Sequence, residues 1–253
     1  AKLLAMERAS AGKNIPDLIP VPPGDPTYDL HIAARAVAIG NEERAWGLTS
    51  PKLALLKRSW VGLEPEYVVW CVEQMRRQKM LKEALDLAFT VLLREDDLDP
   101  NTAGRMLLVR GDIFRDMQNY QAARTEYESL MNNKRYSATE AGEDARYRLI
   151  SLHILTKSYS EAERLLQRMI DAGNVATQAN AYYYYARIAY SRGEYEQSRD
   201  YLAEGFKRRD DHQDARLLEG ELRLHLPRGL DSTEVAVGNP ELQTIAIPGQ
   251  DLR

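Results

Sequence analysis

One spacing constrains this chain more than any other. Leu81, Tyr120, Tyr159 and Tyr195 stand 39, 39 and 36 residues apart, and each sits in the same local pattern. In the clearest copy Gly111 precedes Phe114 by three, Phe114 precedes Tyr120 by six, Tyr120 precedes Ala123 by three, and Ala123 precedes Tyr127 by four. The same offsets select Val72, Met75, Leu81, Ala84 and Ala88, then Ile150, His153, Tyr159, Ala162 and Leu166, then Ala186, Ala189, Tyr195, Ser198 and Leu202. Residues three and four apart share one face of an α-helix, and a fixed period of this size marks stacked supersecondary units. Each copy therefore predicts two antiparallel helices joined by about three residues, with turns at 78–80, 117–119, 156–158 and 192–194. Small residues at Gly111, Ala123, Ala162, Ala186 and Ser198 let the helices approach, and the turn tyrosines fill the space beside each turn. Ser160 with Glu163 reads as a capping box opening one second helix, and Gly173 as its close.

This succession of small, aromatic, alanine and aromatic positions resembles the tetratricopeptide repeat, over residues 65–226. The copy centred on Tyr120 matches well. The copy centred on Tyr159 departs in carrying Ile150 and His153, the Leu81 copy lacks the turn aromatic, and the loops exceed the 34-residue period of that family. The resemblance implies an all-α fold, a right-handed superhelical array of antiparallel helix pairs, with a last helix over 211–226 that carries Gly220 in the small position.

The flanks read differently. Residues 1–27 hold a short helical stretch (2–10, with Leu3, Leu4 and Met6 to bury) and then Pro16, Pro20, Pro22, Pro23 and Pro26. Such a run cannot be helical and favours polyproline II, as a linker or strap in preference to a ligand for a proline-reading module. Residues 28–64 read as an N-terminal helical cap: one helix over 28–39 stopped by Gly40, one from Ser50 and Pro51 to about Trp60, and Glu64 with Pro65 opening the next. Residues 227–253 carry EVAV and QTIAI around a Gly-Asn-Pro turn, a β-like segment that is either the opening of another domain or a tail without structure.

Chemistry is sparse. His31, His153, His212 and His225 lack metal-ligand spacing, and His153 falls on a core position of the repeat. Asp97, Asp99 and Asn101 have calcium-loop spacing, but Thr102 stands where glycine is needed and Leu108 where the bidentate glutamate belongs, so the stretch reads as a solvated loop and helix cap. Cys71 reads as a buried structural thiol. With no phosphate loop or nucleophile motif, the expectation is no enzyme, no metal and no cofactor. A net charge of −4 and pI near 5.7 argue against a nucleic-acid partner, and no apolar run is long enough for membrane insertion. Nothing in the chain addresses it to a compartment, which leaves the cytoplasm by default and the periplasm or cell envelope if a leader has been removed.

Function then rests on surface. On each first helix, the side turned from its own second helix presents Glu66, Val69, Glu73, Arg76 and Arg77, then Arg105, Leu108, Asp112 and Arg115, then Asp144, Tyr147, Ser151 and Ile154, then Asn180, Tyr183, Arg187, Tyr190 and Ser191. The resemblance implies that this face lines a concave groove holding a peptide or a partner protein. Arg76, Arg105, Arg115, Tyr147, Tyr183, Arg187 and Tyr190 are the expected contact residues, since Arg and Tyr bring large contact areas with polar handles. Tyr182 and Tyr185 are expected in the core. The competing class is a structural spacer or self-associating module of a larger envelope or secretion protein.

Overall fold

The computed structural model describes residues 21–225; the helical stretch expected over 2–10 and the β-like segment expected over 227–253 lie outside them. The chain divides into two compact units, residues 1–165 and 166–253. Among the described residues both are built of helices, with no strand.

In the first unit, helix α1 (Tyr28–Ala38) stops at Gly40 as expected. Gly40 takes φ +80°, its N–H donates to Val37 O, and the Asn41 N–H donates to Ala36 O, the two bonds that close a helix around a left-handed residue. Asn41 then caps α2 (Glu42–Thr49), accepting from the Arg44 N–H at 3.2 Å. The sequence reading has no helix there and starts one at Ser50, which is corrected here. Ser50 is already helical (φ −57°, ψ −38°), and Ser50–Lys52 tighten into a 3-10 turn before α3 (Leu53–Ser59). Pro51 is the reason: without an N–H it cannot extend the α-helical ladder, so a helix arriving from Asn41 changes pitch there. Helix α4 (Pro65–Arg77) starts at its expected proline. Helices α1 and α2 pack together and α2 packs on α4, with Trp46 edge-on to Trp70 at 6.4 Å and Trp70 stacked on Tyr67 at 6.0 Å.

Next come α5 (Leu81–Leu92), α6 (Pro100–Asp116), α7 (Tyr120–Asn132), α8 (Glu140–Leu155) and α9 (Tyr159–Ala172), in which the unit boundary falls. Helix α4 packs on α5 and α6 on α7, while the first helices pack on one another, α4 on α6 and α6 on α8. The turns occupy the expected residues and share one backbone device. Lys79, Gln118 and Lys157 lie in the left-handed region at φ +62°, +62° and +58°. Around each, the same two bonds recur: Lys79 N to Arg76 O with Met80 N to Met75 O, Gln118 N to Arg115 O with Asn119 N to Phe114 O, and Lys157 N to Ile154 O with Ser158 N to His153 O. A side chain in this conformation costs about 1–2 kcal/mol, so the repeat is strong enough to hold three such residues in the same place. Ala84, Ala123, Ala162, Ala88, Tyr127 and Leu166 are all buried, and a Cβ on Gly111 would lie 2.6 Å from the Tyr127 ring. The capping box does not fall where expected: α9 begins at Tyr159, which puts Ser160 inside the first turn.

The loops that lengthen the period are bolted to each other. The Arg135 guanidinium donates to Asp96 Oδ1 at 2.8 Å, to Glu95 O at 3.0 Å and to Leu98 O at 2.8 Å, and the Tyr136 hydroxyl donates to Glu95 Oε1. Tyr136 is almost wholly buried between α6 and α8, and Gly142 leaves room for its backbone. A Cβ on Gly104 would stand 3.6 Å from its ring, and one on Gly142 would meet its carbonyl oxygen at 2.3 Å. The extra residues therefore build a wedge between α6 and α8.

The second unit holds α10 (Val175–Arg192), α11 (Tyr195–Phe206) and α12 (Gln213–Leu222). Its repeat turn uses the same pair of bonds around Gly193 at φ +81°. Ser198 Oγ donates to Ala186 O at 2.8 Å, so two of the expected small positions meet where α10 crosses α11. Helix α12 packs on both and buries Ala215, Leu218 and Leu222, but it is shorter than the expected 211–226. Gly220 is exposed with nothing near its Cβ direction, so it holds no crossing position.

Candidate functional site

In the first unit the expected contact residues lie on a ladder of ion pairs between successive first helices. The Thr102 hydroxyl donates to Glu66 Oε1 at 3.1 Å, Arg105 pairs with Glu73 at 3.3 Å, and Arg76 pairs with Asp112 at 3.2 Å and Asp116 at 3.7 Å, each rung joining α4 to α6. Asp112 is the hub. Only 4% exposed, it also takes Arg115 at 3.2 Å, Arg148 of α8 at 3.6 Å, and a hydrogen bond donated by the Tyr127 hydroxyl at 2.7 Å. One carboxylate thus ties α4, α6, α7 and α8. Burial and then the Asp112 charge push the Tyr127 hydroxyl pKa up, which keeps it a donor.

This arrangement revises which residues are open. Asp112, Leu108, Val69 and Ile154, all on the side read as groove, are buried. Because α6 lies against α4 and α8 against α6, part of the side turned from the second helix is covered by the next first helix. The side chains of Arg76 and Arg115 are 22% exposed and engaged with Asp112, whereas Arg105 is 43% exposed. Tyr147 is half-buried next to Arg148. Sequence reasoning missed Asp112 as a hub, and it missed Arg148 and the Arg135–Tyr136 wedge. The signal for the ladder was an acid or hydroxyl 32 to 36 residues from its partner, about one repeat away.

In the second unit Tyr183, Arg187 and Tyr190 lie along α10. Arg187 sits 5.8 Å over both the Tyr183 and Tyr184 rings, and Tyr183 lies 4.9 Å from the His212 ring. Tyr190 meets Tyr195 edge-on at 5.5 Å and its hydroxyl is 3.1 Å from His225 Nε2. The expected contact tyrosines are therefore half-covered by the two ends of the α12 segment. Tyr182 and Tyr185, expected in the core, are only partly buried: Arg208 covers Tyr182 at 4.4 Å, and Tyr185 stacks on Tyr201 at 5.2 Å.

Groups that could carry chemistry have structural partners. The Cys71 thiol is wholly buried, and burial pushes its pKa up to about 12, with hydrogen bonds to Tyr67 and Thr49 opposing. Thr49 Oγ1 donates to Ala45 O at 2.7 Å and so accepts from the Tyr67 hydroxyl at 2.6 Å. Asp99 caps α6 by accepting from the amides of Asn101 and Thr102 at 2.9 and 3.1 Å, as the loop-and-cap reading expects. His153 is buried in the repeat core. Among the described residues no group of three or more His, Cys, Asp or Glu side chains is placed to hold a metal, and no helix is long and apolar enough to cross a membrane. No family model, curated protein or solved structure matches this chain.

Proposed function

We propose that the chain is a scaffold of the tetratricopeptide-repeat kind, a right-handed superhelical array that binds a peptide or partner protein on the exposed part of its first-helix face. The observation that carries this reading is the stacking of α4, α6 and α8, whose ladder holds arginines of successive first helices in fixed positions. Guanidiniums already ordered by fixed carboxylates lose little side-chain entropy when a ligand adds further hydrogen bonds. A peptide-array screen supplies a ligand, and calorimetry on Arg105→Ala, Tyr147→Ala and Arg187→Ala then tests the face. Arg105 is chosen over Arg76 and Arg115 because it pairs with Glu73 and not with Asp112. A drop of about tenfold or more in at least one variant is expected; unchanged affinity in all three overturns the assignment.

Self-association is the second reading, favoured by Phe89 and Leu93, 45% and 85% exposed and one helical turn apart at the end of α5. Sedimentation that finds a monomer at high concentration would exclude it.

A further inference from the structure

We propose that α12 is a pH-sensitive cap: the unprotonated imidazole of His212 anchors its first turn, and acidification loosens the helix on α10, so that Tyr183 and Tyr190 are uncovered more often. The geometry starts at the cap itself. His212 Nδ1 accepts from the Ala215 N–H at 3.4 Å, the place that Asn41, Asp99, Asn119, Thr139 and Asn174 fill on other helices. Of these side chains, the imidazole alone changes its charge between pH 5 and 8. Once Nδ1 carries a proton it opposes a donor to the Ala215 donor, and it sets a positive charge at the positive end of the helix dipole.

Beside the cap, the Arg216 guanidinium of α12 donates to Asp210 O at 3.1 and 2.6 Å and lies 5.4 Å over the Phe206 ring. The buried apolar residues of the helix are Ala215, Leu218 and Leu222, and it is the last helix among the described residues. Asp214 on α12, Arg209 and Asp211 in the preceding loop, and Asn180 and Tyr183 on α10 face His212, with Arg187 behind the Tyr183 ring. Arg209 and Asp211 pair with each other at 2.6 Å. Burial lowers the His212 pKa from the ordinary 6.5; Asp214 opposes this, as does Asp211, while Arg209 adds to it. The sign follows. The docked helix favours neutral His212, so its stability is complete above the ordinary histidine value and falls as pH drops below it. His225, at the far end, stacks on Tyr195 at 4.5 Å and shares a hydrogen bond with the Tyr190 hydroxyl.

Hydrogen exchange on the full chain at pH 7.5 and 5.5, corrected for intrinsic rates, tests the cap. Protection of the Leu218 and Leu222 amides should fall about fivefold on acidification, the equilibrium weight of one helix cap. His212→Asn supplies a cap that does not titrate and should abolish the fall, while His225→Phe should retain it. An undiminished fall in His212→Asn, no fall in the unaltered chain, or loss of the response in His225→Phe would each overturn the proposal.

Discussion

Replacing Asp112 by alanine should be among the most damaging single changes in the first unit, and its cost can be worked from its contacts. The Tyr127 hydroxyl, inside the core, loses a charged acceptor at 2.7 Å, and a buried donor left without a partner costs about 1–3 kcal/mol. Arg76 and Arg115 lose one carboxylate but keep Asp116 at 3.7 and 2.9 Å, so with 22% exposure they add about 1 kcal/mol together. Arg148, 43% exposed, adds little. The expected loss is about 2–4 kcal/mol, or roughly 5–12 °C in Tm for a chain of this size. Tyr127→Phe alone removes one charge-assisted hydrogen bond, about 1.5 kcal/mol, and leaves the arginines on Asp112. In the Tyr127→Phe background Asp112→Ala no longer strands a hydroxyl, so the two changes together should cost about 1–2 kcal/mol less than their sum. Urea denaturation of the four proteins closes the cycle. A coupling below about 0.3 kcal/mol, or an Asp112→Ala loss under about 1 kcal/mol, would mean that this carboxylate does not hold the stack.

Two further outcomes follow from the turns and the wedge. Gln118→Gly relieves a left-handed side chain and should change stability by between zero and about +1 kcal/mol, with Lys79→Gly and Lys157→Gly alike, whereas Gly193→Ala should lose about 1 kcal/mol; chemical denaturation reads the opposite signs, and a loss of more than 1 kcal/mol on adding glycine would contradict the turn geometry. Tyr136→Ala empties the seat between α6 and α8 and should cost about 3–5 kcal/mol, against about 1–2 kcal/mol for Tyr136→Phe, which removes only the bond to Glu95; equal losses in thermal melts would show that the ring does not pack there.

The parts of this fold that could be read from sequence are those set by local spacing. The offsets from Gly111 to Tyr127 mark residues that share one core, with Gly111, Ala123 and Tyr127 buried and Phe114 and Tyr120 partly buried against it, and three of the four turns fall on the expected residues because an i, i+3 pattern shifts phase there. Helix α2 was hidden because its start signals, Asn41 with Glu42 and Glu43, stand directly behind the Gly40 stop, and Pro51 looked like a beginning. Tyr136 was hidden in a polar loop, where no periodicity tells a wedge from an exposed ring. His212 was hidden because imidazole is a rare cap. Asp112 shows the deeper limit. Projecting one helix places it on the side away from the second helix, but whether that side meets water depends on the next first helix, so only the one-repeat spacing between Arg76 and Asp112 could have signalled the contact.

That limit bears on how the first-helix face can recognise anything. Arg76, Arg105, Arg115 and Arg148 face Glu73, Asp112 and Asp116 at 2.9 to 3.7 Å, so the face carries fixed charges of both signs and little net potential. Long-range attraction of an acidic segment would require arginines without partners, and these have them. What the ladder supplies is orientation: each guanidinium is held by a carboxylate on the neighbouring helix or its own, leaving its outer N–H groups aimed in a set direction. For the proposed scaffold, selectivity would then reside in matching that direction, and a ligand pairing its own acids and bases in the ladder's register would gain most. The pairs that would give the proposed face its selectivity are those that hold α4, α6 and α8 together, so a ligand that pulled Arg76 or Arg115 from Asp112 would leave a buried carboxylate short of its counter-charges and destabilise the stack. A ligand of the proposed scaffold would therefore have to leave those pairs intact and use the more exposed sides of Arg105 and Arg148, each 43% exposed.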